Sequence, residues 1–289
     1  MARAVVGHIT SLFCLPLKPM AHGQKSKVRP KKYLGQHFLH DRNTAARIVN
    51  SLDVPAGHPV RLLEIGPGMG VLTRFLLERE EVDLKVVEID GESVAYLKRE
   101  LAMPASRIIE GDFLKLDLNG VFDGSFSVIG NFPYNISSQI FFHLLDYRDQ
   151  VEQVVCMLQK EVAERIASRP GNKIYGILSV LLQAWYDVDY LFSVSPGVFT
   201  PPPKVVSAVI RLRRNSRRQL PCDERLFVQV VRQGFNNRRK TLRNALKNLN
   251  LAGAVSALSL LDKRAEQLSV EDFFQLTTII EESRGASGT

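Results

Sequence analysis

The sequence predicts an α/β fold: a Rossmann-like parallel sheet with helices on both faces, then a small all-helical C-terminal domain. Three observations predict it. Short apolar runs such as VRLLEIG (60–66), LKVVEID (84–90) and FSVIGN (126–131) recur between amphipathic stretches, the alternation of strands and crossover helices. A glycine-rich turn, 66–70, follows the first of these runs. After the late strand pattern VVSAVIRLR (205–213), only helical patterns remain.

Asp41 can cap a helix over 42–52 that aligns Ala45, Ile48, Val49 and Leu52 on one face. The strand 60–66 leads to a helix over 69–79. The strand 84–90 leads to one over 91–101. A short strand, RIIEGD (107–112), precedes the fourth strand, 126–131. A helix over 136–147, a strand over 151–158 and helices over 159–168 and 174–186 follow. The strands 190–195 and 205–213, joined by the GVFTPPPK loop, predict an antiparallel pair at the sheet edge. RNSRRQLP (214–221) has linker composition, and helices are expected over 223–234, 239–249, 251–260 and 270–283. The expected division is an N-terminal extension (1–29), disordered or due to an over-long start with Met20 as a second candidate, a sheet domain (30–215) and a helical domain (216–289).

The 289 residues carry a formal charge of +8, and its placement is uneven. Residues 1–40 hold seven Lys or Arg and no carboxylate; 211–247 hold twelve against Asp223 and Glu224. Two basic segments on an otherwise acidic body fit a polyanionic partner, or else a solvated surface. No apolar run reaches the ~20 residues that cross a bilayer. Cys14, Cys156 and Cys222 are far apart and odd in number, which disfavours a zinc site or a disulfide framework and fits a reducing, cytoplasmic compartment.

Chemistry concentrates at strand ends. Glu64-Ile65-Gly66-Pro67-Gly68-Met69-Gly70 closes the first strand, where glycines let a ligand approach the backbone. Glu88 ends the second strand and can accept both hydroxyls of a ribose. These two features fit NAD or S-adenosylmethionine equally, although the third glycine of GxGxxG is absent. Asp112, after Gly111, can accept from an adenine amino group or cap a turn. Asn131-Phe132-Pro133-Tyr134 ends the fourth strand. An exocyclic adenine amine is a poor nucleophile because its lone pair is delocalised into the ring. The Asn131 side-chain oxygen and the Pro133 carbonyl can each accept an N6 hydrogen and aim that lone pair, while Tyr134 offers a stacking face. This selects methyl transfer over hydride transfer, and S-adenosylmethionine as the cofactor.

With these motifs stand Leu34-Gly35-Gln36-His37-Phe38-Leu39, GDFLKLD (111–117), VFTPPPKVVSAVIRL (198–212) and NNRRKTLRNAL (236–246). Together, from Lys32 to about Glu281, they resemble the small-subunit (16S) rRNA adenine N6-dimethyltransferases, the KsgA/Dim1 family, built on a class I methyltransferase sheet. The resemblance implies that two adjacent adenosines near the 3′ end of 16S rRNA become N6,N6-dimethyladenosines, within a small ribosomal subunit or its precursor. It implies that His37 and Leu39 line the cofactor site, that Gly66 underlies the methionine moiety, that Glu88 holds the ribose and that Asp112 holds the cofactor adenine. Asn131 then serves cofactor and target amine together, and Phe199 sandwiches the target base opposite Tyr134. The family often has Asn where His37 stands and an aliphatic residue where Phe132 stands, so Phe132 is expected to narrow the pocket.

Among the cations, Lys31 and Lys32 in the basic arm, and Arg238, Arg239, Lys240 and Arg243 at an expected helix start, are candidates for neutralising RNA phosphates; a solvated helix face is the alternative. Trp185 is expected in the core. No metal is implied, no membrane contact is expected, and the protein is expected to be a monomer. The rival readings are a 23S rRNA methyltransferase of the macrolide-resistance type, an RNA-binding assembly factor that keeps the fold without the reaction, and a nicotinamide dehydrogenase.

Overall fold

The computed structural model describes residues 28–55, 57, 59–249 and 258–285. The expected extension and most of the expected helix 251–260 lie outside these residues. Val28, assigned by sequence to the extension, is buried, so the docked chain already includes it.

Seven strands form the main sheet: β2 (Val60–Ile65), β3 (Val82–Glu88), β4 (Ile108–Glu110), β5 (Phe126–Asn131), β6 (Val151–Gln159), β7 (Tyr186–Val194) and β9 (Ser207–Arg214). Their order is β4-β3-β2-β5-β6-β9-β7. The first five are mutually parallel, and β9 runs antiparallel to both β6 and β7. The expected antiparallel pair is therefore present at the edge, with its second strand inserted inward of its first. The order of strands reverses direction between β2 and β5, which places the open crevice of the sheet at their carboxyl ends.

The central strands are buried on both faces, so they read as continuous apolar runs. Alternate residues serve different cores. Leu62, Ile129, Val155 and Met157 join the helices α1 (Arg42–Val49), α2 (Val71–Leu77) and α3 (Gly91–Glu100) on one face. Leu63, Ile65, Val128, Val154 and Cys156 face α4 (Ser137–Asp146) and α6 (Ile177–Gln183) on the other. The second core runs without interruption into the helical part: Leu226, Phe227, Val230 and Val231 of α7 (Glu224–Asn236) and Phe273, Leu276 and Ile280 of the last helix, α9 (Val270–Gly285), belong to it. The architecture changes between Arg214 and Glu224 as the linker composition predicts, but the helices have no separate core.

Two element boundaries differ from expectation. The helix expected over 174–186 is shorter, because β7 begins at Tyr186 and uses Asp187 and Asp189 as an edge strand. Asp189 is bound there by Arg211 and Arg213 of β9, so the charges that weaken a strand prediction are neutralised across the ladder. The helix expected over 239–249 is a single turn, α8 (Leu242–Ala245), followed by a 3-10 turn at Lys247–Leu249. A further helix, α5 (Lys160–Ala167), follows β6 directly. Trp185 is 4% exposed as expected. Its ring lies between the guanidinium groups of Arg148 and Arg214, 4.3 and 4.9 Å from the centroid.

A small second sheet pairs β1 (Phe38–Leu39) with β8 (Phe199–Thr200), Leu39 opposite Phe199. It ties the arm before α1 to the proline-rich loop before β9. The turn after β2 ends at Gly70, which caps α2 with φ +68°. A β-carbon there would overlap Leu101 and lie 3.0 Å from Leu97. Gly70→Ala combines a left-handed backbone with overpacking, and it is expected to lower stability by roughly 2–4 kcal/mol. Urea unfolding measures this; an unchanged midpoint would show that neither constraint operates.

Candidate active site

A cavity of about 240 Å³ opens at the carboxyl edge of the sheet, at the reversal of strand order. It is bordered by Ile65 and Gly66 after β2, Glu88 and Ile89 after β3, Gly111 to Leu114 after β4, and Asn131 to Ile136 after β5. The arm Tyr33–Phe38 forms its remaining wall. Of the sequence candidates, the fold brings His37, Gly66, Glu88, Asp112, Asn131, Phe132, Pro133 and Tyr134 to this cavity. Leu39 is buried and borders a smaller adjoining cavity with Glu64, Gly66, Met69 and Asn131.

Gly66 and Gly111 show what the site can hold. A β-carbon on either would meet no atom within 4 Å, so both leave open space beside the cavity. Glu88 is 4% exposed and already occupied on both oxygens: Oε2 accepts from the Gly68 amide at 3.0 Å and Oε1 from the Asp90 amide at 2.9 Å. Burial pushes its carboxyl above the usual range, against these two donors and with the Asp90 charge adding to it. Each oxygen retains a lone pair for a ribose hydroxyl. Asp112 takes both roles that the sequence left open: its Oδ1 accepts from the Leu114 amide at 3.0 Å and caps the turn, which leaves Oδ2 for an amino group.

Asn131 donates through Nδ2 to the His37 carbonyl at 3.0 Å. A carbonyl can only accept, so this bond fixes the amide with its oxygen directed away from the arm. The Pro133 carbonyl accepts from the Ile136 amide at 3.2 Å and keeps one lone pair. Tyr134 is held by a hydrogen bond between its phenol and the Ser207 hydroxyl, and burial keeps that phenol protonated above its usual range. The imidazole of His37 lies over the Tyr134 ring, with centroids 5.5 Å apart and planes tilted by 27°.

Four expectations need correction. Phe199 does not line the cavity: it is 2% exposed and packs in the core with Leu39, Val194 and Val209, because its register opposite Leu39 turns both side chains inward. Phe132 is 1% exposed and packs edge-on against Phe141, so its ring belongs to the core and does not narrow the site. Lys31 is not a free cation: its ammonium binds Asp90 and, at 3.3 Å, Glu92, clasping the arm to the start of α3. Burial raises the Asp90 carboxyl, but Lys31, Gln36, the Glu92 amide and Ser93 outweigh it and hold Asp90 below the usual range. Arg238 and Arg243 are likewise engaged. Arg238 donates to the carbonyls of Lys173 and Tyr175 at 2.7 and 2.6 Å, and Arg243 binds Asp262 at 2.6 Å. Lys32, Arg239 and Lys240 are exposed and without a hydrogen bond or ion pair among the described residues. Arg238 to Lys240 lie in the turn between α7 and α8, just before the helix start expected of them.

Sequence reading missed Gln36, whose amide reaches Asp90 at 3.4 Å, and Gly130. A β-carbon on Gly130 would lie 2.6 Å from the Ile65 carbonyl, so only glycine permits this closeness of β2 and β5. Its place within an apolar strand run was the available signal.

Glu64 is fully buried and accepts from the Thr73 hydroxyl at 2.7 Å. Burial pushes its carboxyl to about 8 from 4.5. The folded protein therefore keeps a proton that the unfolded chain releases above pH 4.5, so stability falls as pH rises towards 8 and then levels. Glu64→Gln keeps the Thr73 bond and cannot ionise. Its stability relative to wild type is expected to rise by roughly 1.4 kcal/mol per pH unit inside that window. Urea unfolding from pH 5 to 9 tests this; a constant difference would mean that Glu64 is ionised throughout.

A ribosomal RNA adenine dimethylase family model matches residues 27–282. Ribosomal RNA small subunit methyltransferase A of Cytophaga hutchinsonii is 57% identical over 254 residues, which cover 88% of this chain and 98% of the relative. The protein of that name from Parabacteroides distasonis is 61% identical over 253 residues, covering 87% and 94%. Among solved structures, a dimethyladenosine transferase from Plasmodium falciparum shares the fold with a TM-score of 0.70 at 24% identity, over 86% of this chain and 98% of that one. The 23S rRNA methyltransferase ErmE matches with a TM-score of 0.60 at 25% identity, over 83% and 99%. The match across nearly the whole described chain, on a fold that carries Asn131 at the end of β5, means that the chain belongs to the ribosomal RNA adenine dimethylase family.

Proposed function

We propose that this protein uses S-adenosylmethionine to dimethylate N6 of two adjacent adenosines near the 3′ end of 16S rRNA, acting as a monomer on the small ribosomal subunit or its precursor in the cytoplasm. The observation that carries the reading is the Asn131 amide, locked by the His37 carbonyl with its acceptor oxygen free at the end of β5. The small-subunit relatives, at 57% and 61% identity, support rRNA of that subunit as the substrate. Among the described residues, no helix is long and apolar enough to cross a membrane.

The open space at Gly66 and Gly111, flanked by the free lone pairs of Glu88 and Asp112, fits an adenosyl group with a methionine tail. When bound, this cofactor supplies an electrophilic methyl on sulfur. Glu88 accepts the ribose hydroxyls and Asp112 the cofactor amino group, while the Gly68 and Asp90 amides hold Glu88 in place. Asn131 Oδ1 and the remaining lone pair of the Pro133 carbonyl accept the two N6 hydrogens of the target. They orient the nitrogen lone pair and disperse the charge that develops on it. Neither group can take a proton at neutral pH, so the proton leaves N6 to water after the methyl has moved. The second methylation proceeds with one of these two bonds, because the first methyl replaces one hydrogen. Tyr134, pinned by Ser207, gives the extruded base a fixed face.

We assign phosphate contacts to Lys32, Arg239 and Lys240, whose charges are unmatched within the described chain, and interdomain or arm support to Lys31, Arg238 and Arg243. The helical residues 216–289 then act as the RNA-binding part and 30–215 as the catalytic part.

Asn131→Ala is expected to slow single-turnover methyl transfer by ~10²–10³-fold, the range for removing one preorganised hydrogen-bonding group at a reacting centre, with cofactor affinity within a few-fold of wild type. A rate within ten-fold of wild type would remove Asn131 from the orienting role. Reversing the charges of Arg239 and Lys240 is expected to weaken binding to unmethylated subunits and to flatten the log–log salt dependence by ~0.7–0.9 per lost contact. An unaltered slope would show that these two cations are only solvated.

A further inference from the structure

The aromatic that faces Tyr134 is His37, and it stands where a base must go. The two centroids are 5.5 Å apart. A base inserted between them needs about 7 Å, two stacking layers of ~3.4 Å each. The imidazole and an incoming purine therefore exclude one another on this face of Tyr134. The face is also the one beside the acceptor amide: the His37 carbonyl holds Asn131 Nδ2 at 3.0 Å, so the ring of the same residue overhangs the space next to Asn131.

The imidazole is held in place on two sides. Its Nδ1 donates to the Pro201 carbonyl at 2.8 Å, just beyond the β1–β8 ladder that pairs Phe38 with Thr200. Its plane lies on Tyr134. Neither contact is deep: the His37–Pro201 bond is exposed, and the ring is only partly covered. By contrast, the His37 main chain is fixed by Asn131 and by the strand that follows it. A side-chain rotation can thus clear the Tyr134 face without moving the arm or the Asn131 amide.

We propose that His37 belongs to the target-base site rather than to the cofactor site: its imidazole occupies the stacking face of Tyr134 in the free protein and is displaced by the extruded adenine. The inference rests on the proposed reaction and names the group that the target base must exchange with. The exchange preserves a stacked partner for Tyr134 in both states, so the face is never left bare to water. It also sets a condition on entry: a base must stack better than imidazole to remain, which a purine does with its larger ring system.

The test uses the full chain with carbon-13 and nitrogen-15 labels in histidine. In the free protein the His37 ring protons are expected upfield, under the Tyr134 ring current. S-adenosylhomocysteine is expected to leave that shift in place, while unmethylated small subunits, or adenosine 5′-monophosphate as a weak probe, abolish it. A His37 signal that stays upfield with either probe, or that leaves with S-adenosylhomocysteine alone, overturns the proposal. In parallel, His37→Ala is expected to bind adenosine 5′-monophosphate at least three-fold more tightly than wild type, with S-adenosylhomocysteine affinity within two-fold. His37→Phe, which keeps a ring but loses the Pro201 bond, is expected to bind the nucleotide less tightly than His37→Ala. A loss of S-adenosylhomocysteine affinity of ten-fold or more in His37→Ala, with nucleotide binding unchanged, assigns the ring to the cofactor instead. Failure of the wild-type protein to bind S-adenosylhomocysteine at all would strike the proposed reaction itself, a result separable from every outcome above.

Discussion

The hydrogen bond from the Asn131 amide to the His37 carbonyl is the constraint on which the site depends. The sheet alone supplies strand ends and glycine turns but leaves the crevice open on one side. That bond attaches the arm as the missing wall and, in the same contact, decides which way the amide points. An amide free to flip would offer a donor as often as an acceptor to the target amine. The arm has two further anchors that share no atoms with this one. Lys31 is clasped by Asp90 and Glu92 at the start of α3, and β1 pairs with β8 beyond His37. Three anchors along one short segment leave its side chains free to move only where no anchor falls, as at the His37 ring.

The carboxyl edge gathers several acids, and each meets the cost of its burial differently. Asp90 stays ionised because an ammonium, an amide side chain, a hydroxyl and a backbone amide converge on it. Glu88 has two backbone donors and no cation, so burial still raises it. Glu64 has one hydroxyl donor and the Glu88 charge nearby, and it keeps its proton near neutrality. The gradient follows the count of donors available to each group. It keeps two neighbouring buried carboxylates from being fully charged together beneath the loop that must accept a ligand. It also explains why the arm carries its lysine at position 31: without that cation, Asp90 would compete for the same relief as Glu88.

What could be read in the sequence was what strand periodicity fixes. Gly66, Glu88, Asp112 and Asn131 each end a short apolar run, and parallel strands bring their carboxyl ends to one edge whatever the details of packing. Phe199 was misread because its orientation depends on the two-residue ladder β1–β8, too short to leave a periodic signal, which turns it inward opposite Leu39. The same ladder brings His37 to Tyr134, so the residue that faces the tyrosine could not be chosen from residue types alone. The cations failed in a different way. Charge is legible in a sequence but its partner is not, and Lys31, Arg238 and Arg243 proved to be engaged with Asp90, loop carbonyls and Asp262. The edge strand β7 was shortened in prediction because Asp187 and Asp189 weaken the apolar pattern until Arg211 and Arg213 are seen across from them.

The continuity of the core into the helical part bears on how a macromolecular substrate is positioned. Phosphate contacts on the turn between α7 and α8 can guide an adenosine to Asn131 only if the distance between them is fixed, since small displacements from attack geometry are costly in rate. A flexible linker would leave that distance undefined. Here α7 shares the sheet's own core through Phe227, Val230 and Val231. Trp185, just before β7, is held between Arg148 and Arg214, and Arg148 also binds Glu224 at the start of α7. Arg238 closes the other end by donating to the carbonyls of Lys173 and Tyr175. The arginines that sequence charge would assign to RNA are thus the ones that lock the helical part to the sheet, and the neighbouring Arg239 and Lys240 are carried on that rigid mount. Half of the basic motif sets the geometry, and the half left without partners can meet the phosphates at a defined distance from the amine.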